Sequence, residues 1–324
     1  MKLAQKVKRL DYFKRHIYDV LPYLTPRKVA NILLNIIELK LKVTTPRSYP
    51  PFIKLEPTPL CHLRCPGCRH ANENYNSELN ANMKMSIDNV KHIVEPIADT
   101  LLGVSLSNHG EPLLNRDIAG LIRYLHERNI AVSFPTNLSI RMDEDAVEQL
   151  VTSGIDSLSV SLDGASSETY LKYRIGGRFD LVKMNVRQLH NAKRRLGLKR
   201  PRLIWKFVIF QHNKHEVEQV RSTYRNLGFD AYEMVLDFKD ESRQADRRKQ
   251  LQKFCFWPWH TIMIDWDGKV APCCTHSDFE LGNALENDIS SLWTSTQYTS
   301  IREGLRDHRK IHPVCRGCLG IPPV

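Results

Sequence analysis

The 324-residue chain has no uncharged apolar run of about 18 residues, which argues against a membrane-spanning helix. Its first residues, MKLAQKVKRL, hold neither an apolar signal core nor a small-residue cleavage site, so export is not expected. Acidic side chains are scarce at the start: residues 1–50 carry 11 Lys and Arg against 3 Asp and Glu, which is +8 of the net +11. The rest is near balance at +3, so the basicity marks an N-terminal extension, and no nucleic-acid partner is expected. Cysteine is missing from position 69 to position 254, and there is no internal repeat or low-complexity tract.

A hydrophobic content of 42% with 26% charged residues describes a globular chain, long enough for one large α/β domain with additions or for two domains. The eight cysteines form two groups, Cys61, Cys65 and Cys68, then Cys255, Cys273, Cys274, Cys315 and Cys318. Short spacings without an export signal point to metal ligation in a reducing, cytoplasmic setting more than to disulfides.

Three regions follow from the pattern along the chain. Residues 1–50 read as a basic helical extension, with a helix over Arg27–Lys42 that carries an apolar stripe and basic ends. Its plain reading is a helix packed on the main domain. The sharper one is a peripheral membrane or acidic-partner contact. Residues 51–240 alternate strands near Phe52–Glu56, Leu101–Ser107, Ile130–Pro135, Ser157–Asp163, Leu203–Ile209 and Ala231–Leu236 with helices near Ile87–Ala98, Arg116–Glu127, Glu144–Ser153, Asp180–Leu196 and Lys214–Leu227. Six such repeats predict an α/β fold, a partial (β/α)6 TIM-like barrel with chemistry in the loops after its strands. Residues 241–324 open with the charged segment KDESRQADRRKQ, read as a linker or helix. A small cysteine-rich domain follows, with a hairpin over Thr261–Cys273 turning on Asp267-Gly268 and a helix near Ile289–Leu305.

In CHLRCPGCRH, Cys61, Cys65 and Cys68 can converge on a metal from one loop after the first strand. Thiolates select zinc or iron–sulfur centres. Structural zinc takes four protein ligands, and His62 or His70 could complete such a set. An iron–sulfur cluster held by only three thiolates keeps one iron open.

The CxxxCxxC loop in this barrel setting resembles the radical S-adenosylmethionine (radical SAM) superfamily. SNHGEPLLN after the second strand is similar to the family's Gly-Gly-Glu motif, with His109 in place of the first glycine and Gly110 and Glu111 matching. The resemblance implies that Glu111 receives the SAM ammonium while Gly110 lets the backbone approach closely. SFPTNLS places Asn137 where relatives carry Thr-Asn-Gly, with Leu138 departing from the glycine. SVSLDGASSETYLKYR resembles the family's Ser-x-Asp-Gly strand end and following Tyr…Arg helix. By that resemblance Ser161 and Asp163 contact the adenosyl ribose and Arg174 the SAM carboxylate, although Arg174 also suits a plain salt bridge. Gln211 and Asn213, at the end of the fifth strand, are placed to face cofactor or substrate without a defined role.

The second cysteine group resembles the SPASM/twitch extensions of the same superfamily. That resemblance implies an auxiliary [4Fe–4S] cluster on Cys255, Cys273, Cys315 and Cys318, with Cys274 spare or replacing Cys273. Five cysteines suffice for one auxiliary cluster. Zinc on the same four is the structural alternative.

The family chemistry implies a [4Fe–4S] cluster on Cys61, Cys65 and Cys68 that binds SAM and, once reduced, cleaves it to methionine and a 5′-deoxyadenosyl radical. An external flavodoxin- or ferredoxin-type donor supplies the electron. A net oxidation or rearrangement of a carbohydrate, lipid-linked or peptide substrate is expected. Epimerisation would need a hydrogen donor, for which Cys274 is the candidate. The alternative is a non-enzymatic zinc or iron–sulfur module that binds nucleic acid or a partner protein.

Overall fold

The computed structural model describes residues 18–237, 244–245, 255–273, 275–276 and 278–319. Most of KDESRQADRRKQ, and Cys274, lie outside the described residues. Eight strands make one sheet: β1 Phe52–Leu55, β2 Gly103–Leu106, β3 Ala131–Thr136, β4 Ser157–Ser161, β5 Arg202–Ile209, β6 Ala231–Leu236, β7 Thr261–Ile264 and β8 Val270–Ala271. Their order is β6-β5-β4-β3-β2-β1-β7-β8, parallel from β6 through β7, with β8 antiparallel to β7. The hairpin turns where expected. Gly268 takes the left-handed φ of +88°, and Asp265 N–H donates to the Lys269 carbonyl at 2.8 Å. What the alternation did not disclose is that β7 pairs with β1 and so extends the barrel sheet itself.

The helices are α1 Pro26–Leu41, α2 Glu73–Ser77, α3 Ile87–Val94, α4 Ile118–Glu127, α5 Glu144–Thr152, α6 Ser167–Leu171, α7 Phe179–Arg195, α8 Val217–Thr223, α9 Trp257–His260, α10 Ile289–Trp293, α11 Thr296–Arg306 and α12 Pro313–Leu319. Side-chain caps start several of them: Ser86 accepts from Asn89 N–H, Asp143 from Ala146 N–H and Ser166 from Thr169 N–H. The single helix expected near Ile289–Leu305 is two, because Ser295 caps a fresh start and accepts from Tyr298 N–H.

Alternation along the strands divides the sheet into two unlike faces. Ile53, Leu55, Val104, Leu106, Val132, Phe134, Leu158, Val160, Leu203, Trp205 and Phe207 point outward into a core shared with Val90, Ile93, Leu121, Leu150, Val186 and Leu189 of the helices. Each such buried side chain contributes about 1.5–3 kcal/mol relative to exposure. The opposite face looks into the barrel. Lys54, Ser105 and Ser133 lie in register there, as do Ser161, Lys206 and Glu233, and Ser159 pairs with Pro135. A closed barrel fills this space with layers of branched apolar side chains. Here it is a polar, partly accessible lumen.

The N-terminal extension closes the floor of the barrel. Val20, Tyr23 and Ile32 pack against Phe52, Leu102 and Ala131 at the N-terminal ends of the strands. Tyr23 Oη donates to Asp156 at 2.8 Å, and Arg200 pairs with the same carboxylate. Helix α1 packs on the main domain as the plain reading has it, but with the polar face inward: Lys28, Asn31, Asn35 and Glu38 are buried and the apolar stripe is not. Asn35 Nδ2 donates to Ser48 Oγ at 3.1 Å, Asn31 pairs with the Tyr49 backbone, and Glu38 accepts from Arg47 N–H and Ser48 N–H. The apolar stripe stays outside because the surface α1 meets is a row of backbone groups near strand starts, which need hydrogen-bonding partners.

Candidate cluster and cofactor site

The cysteine loop leaves the C-terminal end of β1, opposite the floor. Cys65 is buried, and Cys61 and Cys68 are half-buried. Burial pushes the Cys61 thiol up to about 12, with Glu111, Cys65 and Cys68 adding to the effect, so these groups face one another. Two side-chain donors reach the sulfurs, Asn137 Nδ2 at 3.8 Å from Cys61 Sγ and Arg174 Nη1 at 3.8 Å from Cys65 Sγ, and the Leu63 backbone N–H also faces Cys61. Donors of this kind stabilise thiolate. His70 is buried, and its Nδ1 is hydrogen-bonded to Asn76 within its own loop at 2.9 Å.

Glu111 is 3% exposed and has no cationic partner within ion-pair distance among the described residues. Thr136 Oγ1 donates to it at 2.5 Å, Asn137 N–H at 2.7 Å and Leu113 N–H at 3.3 Å. Burial still raises its pKa above the ordinary carboxylate range, although these donors oppose the shift. A buried carboxylate with hydrogen bonds but no cation fits a ligand ammonium. Gly110 packs so tightly on the cysteine loop that a Cβ there would sit 1.9 Å from the Thr58 carbonyl oxygen. Any other residue would push the loop and the motif apart.

Leu138 occupies the position where a glycine was expected, and its φ of +50° is left-handed. That conformation costs about 1–2 kcal/mol for a non-glycine residue. Its fully buried side chain offsets the cost.

Asp163 and Arg174 form one buried unit. Nε and Nη2 of Arg174 reach Asp163 Oδ2 at 2.7 and 2.6 Å, and Val208 N–H donates to Oδ1 at 2.7 Å. Asp163 thus orients Arg174 and leaves its Nη1 facing Cys65. Asn213 braces this unit by donating to the Asp163 carbonyl at 3.1 Å and does not face the lumen. Ser161 ends β4 in register with Lys206.

Some participants escaped the sequence reading. Glu56, just past β1, accepts from His109 N–H at 2.8 Å and Gly110 N–H at 3.3 Å, and so holds the Gly110–Glu111 loop. Burial, then the nearby Asp265, raise its pKa to about 7. Its signal was the alternation FIKLE, which turns Lys54 and Glu56 away from the face of Ile53 and Leu55. The cysteine-rich tail closes on the same end of the barrel: Asn108 Nδ2 donates to Asp265 at 2.9 Å and Arg69 pairs with Asp278 at 3.0 Å.

The tail brings its cysteines together from three elements. Cys255 precedes α9, Cys273 follows β8, and Cys315 and Cys318 lie one turn apart on α12. Burial pushes the Cys315 thiol up to about 12, reinforced by Cys255, Cys273 and Cys318. His276 Nε2 lies 3.3 Å from Cys318 Sγ. No three His, Cys, Asp or Glu side chains among the described residues converge closely enough for a single ion. The chemistry of the two donor sets suits iron–sulfur clusters: three thiols beside a buried carboxylate without an ion-paired cation and a directed guanidinium in the first, four thiols in the second.

A radical SAM superfamily profile matches residues 55–201, and a SPASM iron–sulfur cluster-binding domain profile matches residues 255–319. An AdoMet-dependent heme synthase of Methanosarcina barkeri is 27% identical over 213 residues, covering 63% of this chain and 58% of that protein. The chain thus spans little more than half the length of that relative. A tungsten-containing aldehyde ferredoxin oxidoreductase cofactor-modifying protein of Pyrococcus furiosus is 20% identical, covering 82% of this chain and 86% of its own. Among solved structures, Streptococcus suis SuiB bound to S-adenosylmethionine superposes with a TM-score of 0.63 at 17% identity, covering 83% of this chain and 71% of SuiB, which shows a shared fold. The family's cofactors are a [4Fe–4S] cluster with SAM, and the SPASM domain adds auxiliary iron–sulfur binding. With both profiles matched in order along one chain, and the thiols they require gathered at one end of a partial barrel, this protein belongs to the radical SAM superfamily and carries a C-terminal SPASM domain.

Proposed function

We propose that this chain reductively cleaves SAM at the Cys61–Cys65–Cys68 site and directs the resulting radical at a polar, hydroxyl-bearing substrate in the barrel lumen, a carbohydrate before a peptide or a lipid-linked molecule. The cluster and SAM, when bound, supply the electron transfer and the 5′-deoxyadenosyl radical that removes a substrate hydrogen. Glu111 holds the ammonium. Gly110 admits the backbone, and Asn137, Ser161 and Asp163 line the adenosyl side. Arg174, oriented by Asp163, offers Nη1 to the carboxylate. An external flavodoxin- or ferredoxin-type protein donates the electron. Cys255, Cys273, Cys315 and Cys318 hold an auxiliary cluster suited to accept an electron from the substrate radical, which favours a net oxidation. In this reading 1–50 is the basic extension whose described residues form the floor, 51–240 the SAM-cleaving barrel region and 241–324 the electron-accepting region.

The polar lumen carries the substrate assignment. Lys54, Ser105, Ser133, Ser159, Lys206 and Glu233 offer hydroxyl, ammonium and carboxylate groups where a barrel core would be apolar. Burial lowers the Lys206 pKa, opposed chiefly by Glu233, yet its ammonium forms no ion pair within 4 Å among the described residues. A desolvated ammonium beside a carboxylate can bind the hydroxyl or anionic group of a substrate. The floor extension lies at the far end from this mouth, which favours entry of a water-phase substrate over a lipid-linked one.

Anaerobically reconstituted protein, SAM and dithionite, with sugar, sugar-nucleotide and peptide pools, test the reading. Substrate-dependent 5′-deoxyadenosine with a loss of two mass units in a sugar supports it, and Lys206→Met then lowers kcat/KM by roughly a hundredfold while unproductive SAM cleavage persists. Turnover of peptides alone, or SAM cleavage that survives Cys65→Ala, refutes it.

A further inference from the structure

Helix α1 is built inside out. Positions 28, 31, 35 and 38 form its inner stripe and hold Lys, Asn, Asn and Glu, all buried. Val29, Leu33, Ile36, Ile37 and Leu41 occupy the opposite face and are exposed, Leu33 at 57%, Ile37 at 53% and Leu41 at 70%. A helix that only packed on the barrel would turn these two faces the other way. Hydrogen bonds to strand-start backbone fix the orientation, so the helix cannot rotate to bury its apolar side without breaking them.

The apolar surface continues on a second element. Arg200 donates to the carbonyls of Tyr18 and Asp19, which seats the segment after α7 beside the extension. In that segment Leu196 and Leu198 are exposed, as are Tyr18, Leu21 and Leu24 next to it. Exposed apolar residues from two separate elements thus share one end of the molecule, which a merely solvated surface does not require.

Charge identifies the occupant. Lys40, Arg194 and Lys199 are exposed on these elements and form no ion pair among the described residues. Most acidic groups of the region are already engaged, Asp99 with Arg27, Asp19 with Arg202, Glu144 and Glu148 with Arg195, and Glu38 with backbone donors, which leaves Glu127 as an exposed acid against the basic groups. The sequence before the described residues adds Lys2, Lys6, Lys8, Arg9, Lys14 and Arg15 against one acid, Asp11. An apolar stripe bordered by unpaired basic residues complements an anionic bilayer, with aliphatic side chains at the acyl boundary and ammonium and guanidinium groups at the phosphates.

We propose that the barrel floor is a docking surface for an anionic lipid bilayer, with α1 lying in the membrane plane and the cluster-bearing mouth facing the water. Among the described residues no helix is long and apolar enough to cross a membrane, and adsorption does not need one. The mouth lies about 20 Å from the floor along the strands, so docking leaves the site open. The inference stands apart from the substrate reading.

The test is co-sedimentation of the reconstituted full-length protein with vesicles of phosphatidylcholine alone or with phosphatidylglycerol. The expected result is binding to the anionic vesicles that falls with added salt. Leu33→Glu with Ile37→Glu should lower the partition coefficient roughly a hundredfold, and Lys40→Glu with Lys199→Glu roughly tenfold or more. Unchanged thermal melting and SAM cleavage exclude misfolding as the cause. Equal binding by the Leu33→Glu, Ile37→Glu variant, or no binding by the wild type, overturns the proposal. So does a wild-type dimer that this variant abolishes, which would assign the face to a second copy. Binding that emerges only after removal of residues 1–17 overturns it too, since those residues would then be the cover.

Discussion

Replacing Glu56 by Gln tests whether a buried carboxylate tensions the SAM-motif loop. The side chain is 3% exposed, and its oxygen accepts from His109 N–H and Gly110 N–H. Burial and Asp265 raise its pKa from 4.5 to about 7, so the folded state holds a proton that the unfolded chain has already lost. The stability this proton represents is complete below about pH 4.5 and is lost as pH rises through about 7. Integrated over that range, the cost to the wild type is about 3 kcal/mol, of which about 2 kcal/mol falls between about pH 5.5 and about pH 8. Glutamine keeps an acceptor for both N–H groups and has nothing to ionise. Glu56→Gln should therefore be more stable than the wild type by about 1.4 kcal/mol at pH 5.5 and by about 3 kcal/mol at pH 8. Anaerobic denaturant unfolding of the holoprotein at several pH values measures this difference. Glu56→Ala lacks the acceptor, leaves two half-buried donors without it at up to about 1–3 kcal/mol each, and should raise the KM for SAM at every pH. A Gln-minus-wild-type difference that is flat with pH would refute the argument, as would Ala and Gln behaving alike.

Arg174→Lys loses the two-nitrogen grip on Asp163 together with the third arm facing Cys65, and should raise the KM for SAM roughly tenfold with a smaller change in kcat, read by 5′-deoxyadenosine formation. Cys315→Ala should remove about half of the bound iron while SAM cleavage at the first cluster continues, measured by iron analysis and single-turnover assay. Leu138→Gly sets relief of a left-handed φ, about 1–2 kcal/mol, against loss of a fully buried side chain, which costs more than the 2.7–5 kcal/mol typical of Leu→Ala. The unfolding free energy from chemical denaturation should fall by a net of about 2–4 kcal/mol, so packing outweighs strain at this turn.

Much of the barrel was legible because β-branched and apolar runs between helical periods carry their own evidence. Each run spans only a few residues and needs no distant partner to be recognised. The spacing of Cys61, Cys65 and Cys68 was equally local, as was the Gly110-Glu111 pair. The hairpin after Trp259 was legible as a hairpin, yet its pairing with β1, about 200 residues earlier, was not, since pairing depends on what else occupies the sheet edge. The sequence also suits Arg174 to a plain salt bridge, but that its partner is Asp163, at the end of the neighbouring strand, is decided by the fold.

The amino-acid sequence by itself determined the strand–helix rhythm, the two thiol sets and the basic character of the first fifty residues, because each is written in neighbouring positions. Tertiary structure decided which face of α1 is buried, that Glu56 anchors the SAM-motif loop, and that the inner face of the barrel stays polar. Those outcomes depend on what each side chain meets across the fold. An apolar stripe is buried only where its neighbour is apolar too. The floor of this barrel presents carbonyl and amide groups, and hydrogen bonding prevailed there over the hydrophobic pattern.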